Sequence, residues 1–188
     1  MTRALIVIDI QNDYFPGGAY PLVGSEAAAE VGRRVLDDAR SAQIPVVHFR
    51  HASLEEDATF FLPGTIGAEI HPLLTPRPHE RVLTKAFPNA FIGTSLENLL
   101  RAENIDSLVV VGMMSSMCVD ATTRAALDLE FAVTVVHNAC AAPDLEFEGT
   151  ELPGKLVHAA FMAALRDAGA SVVAADELEL KTQPLRAS

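Results

Sequence analysis

The stretch SLVVVGMMSSMCVDATTRAALDL, residues 107–129, decides the fold. Ser107 to Gly112 is an unbroken apolar run of strand type, and from Met117 to Leu129 the apolar positions fall at helical spacing. A strand with no polar face is buried on both faces, as in a parallel sheet lying between helices. The same alternation extends outward in both directions. Upstream, strands are expected at Ala4–Asp9, Pro45–Arg50 and Arg81–Lys85, with helices at Ser25–Ala42 (Ser25 as N-cap) and Ser95–Glu103. Downstream come a strand at Ala132–His137, a helix at Gly154–Ala168 closed by Gly169, and a strand at Ser171–Ala174. The expectation is a three-layer, doubly wound α/β fold with a six-stranded, mostly parallel sheet, read as a single domain over residues 1–188.

Composition narrows the functional classes. Hydrophobic residues make up 49% of the chain, which excludes a disordered chain. The apolar runs are too short to span a bilayer, and the N-terminus enters a strand without a basic leader, so a cytoplasmic location is expected. Fourteen basic against 25 acidic residues give a net charge of −11, which repels nucleic acid and anionic membranes. Cys118 and Cys140 do not make a disulfide framework, and no paired Cys/His spacing marks a structural zinc site. The segment from Ala52 to Glu80, with four prolines and two glycines, is too long for a simple connection and is expected to carry function.

In an open parallel sheet, ligands bind beyond the carboxyl ends of the strands. Three reactive side chains are expected there: Asp9 after the first strand, Lys85 at the end of the third, and Cys118 in the first helical turn after the fourth. A helix start capped by Ser115 or Ser116, with a lysine nearby, favours a thiolate, so Cys118 is expected to have a lower pKa than Cys140. Free backbone N–H groups at such a turn suit an oxyanion hole. Lys85 is one of three lysines, with Lys155 and Lys181, and only Lys85 ends a buried strand, where it needs an anionic partner. Asp13 is read as shaping the turn after Asp9. His48 and His51 fall on opposite faces of a strand and are read as structural, as is Cys140, placed in a loop. Gln11, Phe15, Phe87 and Phe91 are the candidate substrate-pocket residues. Neither a Walker pattern nor GxGxxG is present, which lowers a nucleotide-binding flavodoxin-like reading.

Three segments, ALIVIDIQNDYF (4–15), RVLTKAFPNAFIGTSLENLL (81–100) and residues 107–129, resemble the isochorismatase-like cysteine hydrolases. The resemblance implies that Asp9 is the acid/base, Lys85 its electrostatic partner and Cys118 the nucleophile. It also implies a cis peptide at Met113–Met114 and an oxyanion hole from the N–H groups of Met114 and Cys118. The implied reaction is C–N hydrolysis of a small amide through a thioester, without metal or cofactor, in a homodimer or homotetramer. Streptothricin-hydrolase-type amidases are similar. The runner-up is an isochorismatase-type ether hydrolase in which Cys118 is incidental. Metal-dependent nicotinamidases carry an Asp-x-His…His set after the second strand, whereas this chain has HFRHASLEEDATFF (48–61).

Overall fold

In a computed structural model, residues 2–180 are described; Lys181 and the end of the single-domain span, 181–188, lie outside them. The central sheet contains β1 (Arg3–Ile8), β2 (Val46–His51), β3 (Arg81–Lys85), β4 (Ser107–Met113), β5 (Ala132–Ala141) and β8 (Ser171–Val173). β6 (Leu145–Phe147) and β7 (Thr150–Leu152) form a separate antiparallel hairpin. The sheet order is β3-β2-β1-β4-β5-β8, and every neighbouring pair is parallel.

Side-chain alternation builds the layers. From β1, Leu5 and Val7 point into one core while Ala4, Ile6 and Ile8 point into the other. The first core is closed by α1 (Ser25–Ser41) through Ala28, Ala29, Val35, Leu36 and Ala39. The second is closed by α2 (Leu96–Ala102), α3 (Asp120–Asp128) and α4 (Gly154–Asp167), through Leu96, Leu100, Ala126, Met162 and Leu165. The three-layer, doubly wound fold with a six-stranded parallel sheet is the one the sequence pattern leads to.

Several local expectations are corrected. Ser25 does not cap α1: the N-cap is Gly24 in the left-handed region (φ 75°), and Ser25 is a buried first residue of the helix. Cys118 does not sit in the first turn of a regular α-helix, because a π-helical turn, Ser115–Val119, precedes α3 and has no side-chain cap. β5 runs ten residues rather than six, so Cys140 lies within a strand and not in a loop; its thiol donates to the Val136 carbonyl. The β6–β7 hairpin falls where the sequence showed no strand periodicity.

Gly112 explains how β4 reaches the site. It pairs with Ile8 at φ 136°, and a Cβ there would collide with the Ile8 carbonyl. Only glycine allows β4 to lie this close to β1 just before the turn that carries Cys118. The pairing of β4 with β5 also shifts register between Val110 and Gly112, which turns the strand's end.

Candidate active site

The strand order reverses between β1 and β4, and in open parallel sheets ligands bind beyond the carboxyl ends of the strands at such a point. Asp9 leaves β1 with φ 47°, a left-handed conformation that aspartate tolerates better than most residues. Its amide is fixed by the Phe49 carbonyl of β2. Lys85 is the last residue of β3, in register with His51, the last residue of β2. Cys118 enters from the π-helical turn after β4. Asp9, Lys85 and Cys118 are all buried.

The lysine Nζ is the centre of this cluster. It lies 2.6 Å from Asp9 Oδ2 and donates to His51 Nδ1 at 3.1 Å, to the Phe87 carbonyl at 3.1 Å and to Cys118 Sγ at 3.3 Å. Burial opposes the ammonium charge, yet Asp9 and Cys118 outweigh it and raise the Lys85 pKa above its ordinary value. Asp9 Oδ1 is buried without a hydrogen-bond partner among the described residues, so one oxygen of this carboxylate is open to a proton.

The lowered pKa expected of Cys118 from a helix start and a nearby lysine is not what its surroundings produce. Burial pushes the Cys118 thiol far up and the Asp9 carboxylate pushes it further, against the smaller pull of Lys85. Burial pushes the Cys140 thiol up as well, to about 12. The raised pKa of Cys118 favours a thiol beside the Asp9–Lys85 ion pair.

The π-helical turn that carries Cys118 is fastened on both sides. Ser115 Oγ donates to the Ala141 carbonyl of β5 (3.1 Å) and lies 2.8 Å from His158 Nδ1 of α4. The Met114 carbonyl accepts from the amides of Met117 and Val119. The Met113–Met114 peptide is cis.

The pocket residues named from sequence separate. Phe87 stands beside the cluster: its carbonyl holds Lys85 and its ring is half exposed. Gln11 is not free to meet a substrate, because its amide is spent on the chain: it donates to the carbonyls of His51 (2.9 Å) and Ala68 (2.8 Å) and accepts from the His51 amide (2.7 Å). Phe15 stacks on His71 with centroids 3.8 Å apart, and Phe91 stacks on Phe131 at the edge of the second core. Asp13 braces the turn, accepting from the amides of Ala19 and Phe61.

His48 and His51 do point to opposite faces. His48 is structural, its Nε2 3.0 Å from Glu80. His51 is not merely structural, since it contacts the buried Lys85. The parallel register β2–β3, invisible in the sequence, is what brings it there.

Asp9, His51 and Cys118 present ligand-type atoms within 4.8 Å of one another. The ammonium of Lys85 stands within contact distance of all three. A divalent ion among them would face that charge at close range, so the residues present do not fit a metal centre.

A buried thiol, lysine and carboxylate at the switch point of a parallel α/β sheet define a hydrolase-type site. The chain belongs to the isochorismatase family: the profile described as Isochorismatase domain matches residues 3–177. It is 45% identical over 172 residues to the uncharacterised isochorismatase family protein YddQ of Bacillus subtilis, covering 92% of this chain and 96% of that protein. It is 37% identical over 145 residues to streptothricin hydrolase of Streptomyces noursei, covering 76% of this chain and 51% of that enzyme. A crystal structure from Oleispira antarctica, provisionally assigned as an isochorismatase hydrolase, superposes with a TM-score of 0.89 at 50% identity, over 94% of this chain and 95% of that one. Members of the family are hydrolases, amidases acting on C–N bonds among them.

Proposed function

We propose that the protein is a metal-independent cysteine amidase that cleaves the C–N bond of a small amide through a thioester. The observation that carries this reading is the single ammonium of Lys85 in contact with both Asp9 and Cys118, all three side chains being buried. An ether hydrolase has no need of a thiol held in that contact.

The chemistry follows from the protonation states. Asp9 takes the thiol proton as Cys118 Sγ attacks the amide carbonyl carbon, and Lys85 offsets the charge moving between them. The carbonyl oxygen becomes an oxyanion, received by the N–H groups of Met114 and Cys118. Collapse of the tetrahedral intermediate breaks the C–N bond, and Asp9 returns its proton to the departing amine. Water then attacks the thioester with Asp9 as base, releasing the acid and restoring the thiol. The half-exposed side chains of Phe87 and Met117, beside the lysine and nucleophile segments, suit an apolar group on the substrate.

A screen for ammonia and amine release over a panel of small amides tests the proposal, with Cys118→Ala as control. Turnover in the wild type, lost in the variant and lost in step with alkylation of Cys118, is the expected result. Hydrolysis that survives in Cys118→Ala would remove the covalent route and leave acid-catalysed ether or amide cleavage in its place.

A further inference from the structure

Among the described residues, His51 is the side chain in contact with Lys85 that the amidase mechanism leaves unused. An ammonium has three N–H donors. Lys85 Nζ has four acceptors within reach: Asp9 Oδ2, His51 Nδ1, the Phe87 carbonyl and Cys118 Sγ. One acceptor must therefore go without a proton at any moment. Asp9 carries a full charge at 2.6 Å and keeps its share, and the Phe87 carbonyl lies just two residues along the same chain as the lysine. The competition falls between the imidazole and the sulfur.

We propose that His51 is a positioning residue that competes with Cys118 for one Lys85 proton, holding that proton while Cys118 is a thiol and yielding it when the sulfur takes negative charge. The inference rests on the reading of Cys118 as nucleophile. A thiol is a weak acceptor and a thiolate a strong one, so the preference reverses as the charge moves. No bond to Lys85 is broken covalently, and the ammonium keeps all its protons; only the direction of one N–H changes. The thiol's own proton goes to Asp9.

The surroundings fit this role. Gln11 grips both the amide and the carbonyl of His51, which fixes the ring's origin at the end of β2. Burial and Lys85 hold the imidazole below its ordinary pKa against the opposing pull of Asp9 and Glu55, so the ring is neutral and Nδ1 has a lone pair to offer. The titratable groups facing the shared proton are Asp9 from β1, Lys85 from β3, Cys118 from the π-helical turn, Glu55 from the loop after β2, and Tyr14, whose phenol is held protonated by burial and by Cys118 and Asp9.

Alkylation of Cys118 by iodoacetamide, followed by mass spectrometry on the full-length protein across pH, tests this without a substrate. His51→Leu removes the competing acceptor, leaving the third proton to the sulfur and favouring its thiolate. The expected result is alkylation faster by about tenfold at a given pH, the size of one hydrogen bond to a charged group. His51→Asn places an amide oxygen near the position of Nδ1 and should return the rate to that of the wild type. Simple opening of the site would instead accelerate the smaller Asn variant at least as much as Leu. Equal rates in Leu and Asn, or a Leu rate at or below wild type, would overturn the proposal. Amide hydrolysis persisting in Cys118→Ala would overturn the nucleophile assignment, an outcome separate from the Leu-to-Asn ratio.

Discussion

At the scale of single residues, Asp9 and Lys85 are the most tightly bound pair in the site. Both side chains are fully buried, 2.6 Å apart, so each is tolerable only because of the other. Asp9→Asn should lower turnover by at least about 10²-fold through loss of the proton acceptor. It should also destabilise the fold by about 3–5 kcal/mol, since it strands a buried ammonium. Adding Lys85→Met to Asp9→Asn should recover much of the stability and none of the activity. Urea titration of the two single variants and the double variant measures this; additive stability losses would mean that the two charges do not support each other. The same ammonium argues against a metal. Dialysis against a chelator should leave amide hydrolysis intact, and a loss reversed by zinc, manganese or iron would show that the lysine moves aside for an ion.

At the scale of elements, the outer edge of the sheet hangs on a carboxylate. Glu80, just before β3, accepts from Arg40 of α1 through both oxygens (2.7 and 2.9 Å), from the Arg77 amide, and lies 3.0 Å from His48 of β2. Burial works against its charge, but Arg40, the Arg77 amide and His48 prevail and take its pKa from an ordinary 4.5 to about 2. A folded pKa below the unfolded one means that the unfolded chain binds the proton more readily. The stabilisation is therefore complete above pH 4.5 and drains away as pH falls toward 2. His48, whose pKa burial lowers, acts in the same direction from a higher pH, because an unfolded histidine gains a proton near neutrality that the buried ring resists. Denaturation midpoints followed downward from pH 7 should show the loss, and Glu80→Gln should remove its lowest part while reducing stability at neutral pH. A midpoint flat down to pH 3 in the wild type would contradict the assignment.

At the scale of the whole molecule, parallel topology brings together residues from positions 9, 51, 85 and 118. β1 and β4 are neighbours, and β2 and β3 extend the same sheet, so two strand ends and the segments after two other strands converge on one edge. The chain as a whole carries a net charge of −11. Electrophoretic mobility-shift and vesicle co-sedimentation assays should find no binding to duplex DNA or to anionic vesicles at physiological salt, because long-range repulsion outweighs local contacts. Salt-sensitive binding to either would reveal a basic surface that the total charge hides. Among the described residues, no helix is long and apolar enough to cross a membrane.

Much of this was legible in the sequence because it depends on local pattern. Unbroken runs such as Ser107–Gly112 demand burial on both faces, and a strand's last residue is fixed once its run ends, so Asp9 and Lys85 could be placed at carboxyl ends before any neighbour was known. What the pattern could not carry was anything set by a partner distant in the chain. Strand order and the β2–β3 register made His51 a neighbour of Lys85. Gln11, polar and close to Asp9 in the chain, turned out to clasp backbone from two other segments. The thiol's acidity depended on desolvation and on the carboxylate opposite, neither of which a helix start announces. Periodicity is written along the chain, whereas hydrogen-bond partners, burial and the field at a buried atom are sums over space, and only the folded chain performs them.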